Sequence, residues 1–136
     1  MEWYLTVVKE NYANFSGRAR RKEYWMFTLI NTLIIFGLGI FTSLLADTTA
    51  VFIPAVTLGL YILAMFIPNL AVTVRRFHDT GKSGWYYLLS LIPYVGGLIL
   101  IIMMAQNGDN GTNKYGPDPK APNSDEIEDI GKPLLD

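Results

Sequence analysis

Cysteine is absent from the 136-residue chain. Disulfides, thiolate nucleophiles and thiolate metal sites are therefore excluded. Histidine occurs once, as His78. A metal centre needs three or four ligands, so a lone imidazole among scattered carboxylates does not make one. No Walker-type glycine loop and no zincin motif is present, and no cofactor is implied. The N-terminal stretch MEWYLTVVKENYANFSGRARRKEYW does not fit a secretory signal peptide. Its basic cluster precedes an apolar core too long for one, with no small-residue cleavage site.

The most informative scarcity is of charge. The net charge is only -1, which by itself argues neither for nor against nucleic acid, but the charges are segregated. Three apolar runs carry none. They are 24–46, 51–74 and 85–106, each about 22 to 24 residues and long enough at 1.5 Å per residue to cross a hydrocarbon core about 30 Å thick. They are apolar all round rather than amphipathic, unlike the helices of a soluble domain. The expected fold is an all-α membrane protein with three transmembrane helices. The link DTTA (47–50) is short enough to force an antiparallel hairpin between the first two.

The third run carries a complication. Pro93 removes a backbone donor, and Gly96 and Gly97 follow within a turn. A kinked complete span is the expectation. The alternative is a re-entrant hairpin with both ends in the cytoplasm, which needs surrounding protein to satisfy its backbone.

Basic residues set the orientation. Lys9, Arg18, Arg20, Arg21 and Lys22 precede the first run, none lies in the DTTA link, and Arg75, Arg76 and Lys82 lie in the second link. This pattern places the N-terminus and the second link in the cytoplasm, and three complete spans then put the C-terminus outside. Trp25 and Trp85, with neighbouring tyrosines, stand at the cytoplasmic ends of the first and third runs, where amphipathic rings favour the headgroup layer.

Outside the runs, Tyr4, Val7, Val8, Tyr12 and Phe15 share one helical face, the pattern of an N-terminal interfacial amphipathic helix. Residues 1–120 read as a single membrane domain and 121–136 as a disordered acidic tail, rich in Asp, Glu and Pro.

Three groups of residues are candidates for chemistry. The arginines Arg18, Arg20, Arg21, Arg75 and Arg76 suit topology determination with contact to anionic headgroups; the alternative is that Arg18, Arg21, Arg75 and Arg76 converge on one anionic group in two-point fashion. Glu23 is placed to pair with Arg20 or with a basic residue of the second link. In VRRFHDTGKSGW (74–85), continuation of the second helix puts Asp79 on a shared face with Arg75 and Arg76. Gly81 then ends the helix, with His78 in its last turn. His78 and Asp79 are the pair that topology does not require; a histidine beside a carboxylate suits proton transfer near neutral pH. No nucleophile in a diagnostic setting accompanies them, so the expectation is not an enzyme. Within the spans, Pro68 deprives the Ala64 carbonyl of its helical partner. Asn69 should face protein rather than lipid, with Asn31 as a partner at similar depth. No charged residue lies in a span, which weighs against an ion pathway.

FSGRARRKEYW (15–25), LAVTVRRFHDTGKSGW (70–85) and GTNKYGPDP (111–119) occur in that order between the apolar runs. The chain therefore resembles the YhaH/YhaI-like inner-membrane family, a domain of unknown function numbered 805. The resemblance implies a bacterial, multi-pass inner-membrane protein with no established activity. Its pattern falls here on residues including Arg18, Glu23, Trp25, Arg75, Arg76, His78, Asp79, Gly81, Trp85 and Tyr115. It leaves a puzzle: with three complete spans Tyr115 lies across the membrane from His78, and a re-entrant third run brings them together.

The resulting expectation is a non-catalytic component that binds anionic phospholipid headgroups or a partner, as a homo-oligomer or with another membrane protein, and not nucleic acid. The rivals are a subunit of an oligomeric transporter or channel, and an enzyme of lipid phosphates using Arg75, Arg76, His78 and Asp79.

Overall fold

In the computed structural model, which describes residues 2–121, two long helices form an antiparallel hairpin. The first of these, α2, is Arg21–Leu44, and the second, α3, is Phe52–Asp79. A short helix α1 (Glu2–Leu5), continued as a π-helical turn Thr6–Glu10, precedes them. A 3-10 segment Gly84–Leu91 and a ten-residue helix α4 (Gly96–Ala105) follow. No strand forms among the described residues, as expected for an all-α chain.

The hairpin follows from the shortness of its link, which contains only a single 3-10 turn, Thr49–Val51. Glu23 pairs with Arg75, Phe27 clusters with Val72, and Asn31 bonds Tyr61, so the two helices run in opposite directions. At 24 and 28 residues, α2 and α3 are about 36 and 42 Å long. Both are long and apolar enough to cross a membrane. Their middles are not a buried core: Leu29, Leu33, Phe36, Leu60, Leu63 and Phe66 all stand exposed. A contiguous apolar surface of this kind is unfavourable in water and suits contact with hydrocarbon.

The buried parts lie at one end of the hairpin. Val7, Ala19, Phe27 and Val72 form one cluster, with Tyr4 stacked on Phe27 at 5.6 Å. Phe77, Met103 and Met104 form the other. The N-terminal helix is shorter than its apolar pattern suggests: Tyr4, Val7 and Val8 pack on α2 and α3, but the helical conformation stops at Glu10, before Tyr12 and Phe15. Tyr12 instead donates its hydroxyl to the Ala64 carbonyl. That is the oxygen left without a helical donor by Pro68, which lies buried inside an otherwise continuous α3. Asn69 is half-buried. Asn31 does not pair with it; the Asn31 Oδ1 accepts from the Tyr61 hydroxyl at 2.7 Å.

The third apolar run departs from the expected complete span over 85–106. It forms no continuous helix. The 3-10 segment ends at Leu91, the chain turns through Pro93 and Tyr94, the latter at φ 66°, and α4 runs back. A Cβ on Gly96 would lie 2.3 Å from the Leu89 carbonyl oxygen, so only glycine permits the two arms to approach this closely. With ten residues, α4 is about 15 Å long, half a hydrocarbon core. Its C-terminal end meets the start of the run: Lys82 Nζ donates to Gln106 Oε1 at 2.9 Å, and Arg76 Nε to the Met104 carbonyl at 3.2 Å. Residues 107–121 therefore pack on the same end of the hairpin as the N-terminal segment, not on the opposite end as a third complete span requires. Apart from Ala121, the expected acidic tail (121–136) lies outside the described residues.

Candidate basic groove and the buried arginine network

The folded-back run brings three distant segments around the last turn of α3. Asp79 is their hub. Its Oδ1 accepts from Arg18 Nε at 3.0 Å and its Oδ2 accepts from Arg76 Nη1. Its backbone oxygen accepts the Asp109 N–H at 2.7 Å. Arg18 extends the network to the carbonyls of Gly111, at 2.6 Å, and of Asp109. Arg76 does the same for Met104 and Gln106. All three side chains are almost fully buried. Burying two guanidinium ions against one carboxylate is tolerable only because the backbone carbonyls satisfy the remaining donors. The packing leaves no room at Gly108, where a Cβ would fall 2.1 Å from Asp79 Oδ2. Gly81, at φ +69°, ends α3 as its position suggests.

A second buried pair joins α2 to α3. Arg75 Nη1 donates to Glu23 Oε1 at 2.8 Å. Glu23 is thus paired with the second link, and Arg20 is not its partner. The Arg75 carbonyl accepts the Ala19 N–H at 3.0 Å. Arg75 Nε and Nη2 are buried with no hydrogen-bond partner among the described residues, as is Arg20 Nε.

The side chains of His78 and Asp79 have separate hydrogen-bond partners. The Asp79 carboxylate is taken by two arginines, whereas His78 Nδ1 lies 3.1 Å from the Gly17 carbonyl oxygen. That contact requires a proton on Nδ1. The imidazole stacks flat on Tyr115, with centroids 3.8 Å apart and planes 4° from parallel. Asn113 Nδ2 donates to the His78 carbonyl at 2.9 Å and to Asp109 Oδ2 at 3.1 Å. The GTNKYGPDP segment thus folds as a cap over the end of α3. Asp118 pins this cap, accepting the N–H groups of Lys120 at 2.8 Å and Gly111 at 3.3 Å. Chiefly through the Lys120 N–H, these bonds hold its carboxyl below the usual carboxylate value against a smaller upward push from desolvation.

Of the five arginines expected at lipid headgroups, Arg18, Arg75 and Arg76 are therefore turned inward, paired with carboxylates and buried. They hold the fold together. Arg20 and Arg21 remain at the surface, and they line a groove of about 620 Å³ with Lys22, Trp25, Asn107, Gly108 and Lys120. Arg21 is fixed across it by donating to the Ala105 carbonyl at 3.1 Å. The groove lies at the N-terminal end of α2, whose N-cap residue Arg20 offers no side-chain acceptor to the first N–H groups. Those groups carry the positive end of the helix dipole. None of the residues lining the groove is acidic. The arrangement attracts an anion and offers it guanidinium, ammonium and indole together. Trp85 is largely exposed, beside a separate, mostly apolar groove that also reaches His78.

Lys120 was not a candidate from the sequence. It joins the groove only because the third run folds back, and no local pattern announces that. Lys22 was visible as one of a basic run, without a signal to separate it from Arg18. Among the described residues no group of three or more His, Asp or Glu side chains could hold a metal ion.

Comparison with known proteins finds relatives of the chain. The model of the family described as "Protein of unknown function (DUF805)" matches residues 12–117. The chain is 47% identical over 120 residues to the inner membrane protein YhaI of Escherichia coli K12, covering 88% of this chain and 97% of the relative. It is 48% identical over 120 residues to the inner membrane protein YhaH of the same strain, covering 88% and 98%. A more distant relative, the uncharacterized protein YiiR, is 30% identical, covering 77% and 85%. No solved structure matches the chain.

Proposed function

This chain belongs to the DUF805 family, whose matched relatives include inner-membrane proteins of Escherichia coli, and on that premise we propose that it is a non-catalytic inner-membrane component that holds anionic phospholipid by the headgroup. The observation that carries the reading is the groove of Arg20, Arg21, Lys22 and Lys120, with no acidic residue in its lining. Trp25 stands in the same groove, and an indole there belongs at headgroup depth. The apolar length of α2 begins immediately beyond, so a phosphate in the groove has its acyl chains beside the exposed apolar side chains of that helix.

In this reading α2 and α3 cross the bilayer and the third run is re-entrant. Arg18, Arg20, Arg21 and Lys22 share one end of the hairpin with Arg75, Arg76, Lys82, Lys114 and Lys120, while the link at 45–51 has no basic residue. The basic end is cytoplasmic by the positive-inside rule, which puts residues 107–121 on the cytoplasmic side as well. Catalysis by His78 and Asp79 is disfavoured by their separate hydrogen-bond partners.

The test is lipid selectivity of the full chain in nanodiscs of phosphatidylcholine doped with phosphatidylglycerol, read by native mass spectrometry of retained lipid. The wild-type protein retains phosphatidylglycerol preferentially, and less so at high salt. Combining Arg21→Gln, Lys22→Gln and Lys120→Gln removes the preference. An unchanged preference in a correctly folded triple variant contradicts the proposal.

A further inference from the structure

We infer that the groove takes a lipid carrying two phosphates, a diphosphatidylglycerol-type molecule, in preference to one carrying a single phosphate. This deepens the headgroup reading and rests on it. The first ground is charge. Four cationic side chains line one groove without an acidic residue, and one phosphodiester, with a single negative charge, leaves most of that field uncompensated. The second ground is size. A cavity of about 620 Å³ falls within the range that encloses a drug-sized ligand, well beyond one phosphate group. The third is disposition. Arg20, Arg21 and Lys22 come from the start of α2, whereas Lys120 comes from the cap that follows α4. The cations thus belong to two separate segments, which suits two linked phosphates.

Soluble diphosphates share this chemistry. The lipid is favoured because Trp25 and Met26 line the same groove and α2 continues from it as an exposed apolar surface. A soluble anion has no use for either.

The experiment compares purified full-length protein titrated in neutral detergent micelles with tetraoleoyl cardiolipin, with dioleoyl phosphatidylglycerol, or with inorganic pyrophosphate. Cardiolipin is expected to bind at least about tenfold more tightly per phosphate than phosphatidylglycerol, because the second phosphate engages at high effective concentration. Pyrophosphate is expected to bind far more weakly than cardiolipin. Lys120→Gln, which leaves α2 untouched, weakens cardiolipin binding more than phosphatidylglycerol binding and so lowers their affinity ratio toward one. Equal affinity per phosphate for the two lipids overturns the two-phosphate inference and leaves the headgroup reading standing. Failure of both lipids to bind overturns the headgroup reading itself. Pyrophosphate binding as tight as cardiolipin overturns the assignment to a lipid.

Discussion

The His78 imidazole lies flat on the Tyr115 ring, 3.8 Å between centroids, although 36 intervening residues include a whole apolar run long enough to cross a bilayer. Both rings sit at one end of the α2–α3 hairpin. Their contact is the clearest sign that the third run turns back. It also joins the two sequence motifs whose relation a three-span topology leaves unexplained.

The stack supplies a graded test. Tyr115→Phe preserves the ring and is expected to leave stability nearly unchanged, because the contact is made by the ring face. Tyr115→Ala removes it, and loss of an aromatic contact costs about 0.5–1.5 kcal/mol beyond the lost burial. Unfolding in detergent, followed by tryptophan fluorescence, distinguishes the two variants.

Asp79 carries a larger consequence. Asp79→Asn keeps the size but leaves Arg18 and Arg76 as buried cations without a counter-charge. Breaking a buried pair in this way costs about 3–5 kcal/mol. A marked loss of thermal stability is expected, whereas His78→Ala, which touches no ion pair, is expected to be much milder. Equal effects from the two changes contradict the network described above.

The bond from Tyr12 to the Ala64 carbonyl exists because Pro68 offers that oxygen no donor. Tyr12→Phe is expected to destabilise by about 0.5–1.5 kcal/mol, the net worth of one hydrogen bond. Pro68→Ala in the same chain restores an N–H at position 68 and makes the loss of the hydroxyl much less costly. A double-mutant cycle reads the coupling, and strict additivity refutes it.

The cap over α3 has a defined acid sensitivity. The Asp118 carboxyl is held below its usual value, first by the Lys120 N–H, so the folded state favours its ionised form. The stabilisation is complete above the unfolded carboxylate value of 3.8 and is lost as pH falls through the lower folded value. Amide exchange at Gly111 and Lys120, corrected for the intrinsic pH dependence of exchange, should lose protection in that window. Asp118→Asn should lose this acid step.

Much of this architecture is legible in the chain itself. The uncharged runs specify α2 and α3, the four-residue link specifies their hairpin, and Gly81 marks the end of α3. Pro68 announces a bare carbonyl, but nothing local names Tyr12 as the residue that satisfies it. The third run misleads because its length equals that of a span. Pro93 and Gly96 mark the break, yet whether such a break kinks or reverses a helix depends on whether protein surrounds the exposed backbone. Here the turn itself stays exposed at Leu91 and Tyr94, and the returning arm is held at its far end, where Arg76 takes the Met104 and Gln106 carbonyls. Arg18 lies 61 residues from Asp79, so its inward role is invisible to helical spacing. An arginine run reads as headgroup-facing throughout until the fold sorts inner residues from outer ones.

The groove exists only if the third run turns back, since Asn107, Gly108 and Lys120 must reach the start of α2. The absence of cysteine makes the direct measurement clean. Single cysteines at Glu10, Thr48 and Asn110, all exposed, are probed in right-side-out and inverted membrane vesicles with a membrane-impermeant maleimide. Glu10→Cys and Asn110→Cys are expected to react together, in inverted vesicles only, and Thr48→Cys in right-side-out vesicles only. Reaction of Asn110→Cys on the same side as Thr48→Cys would restore a third complete span and dismantle the groove.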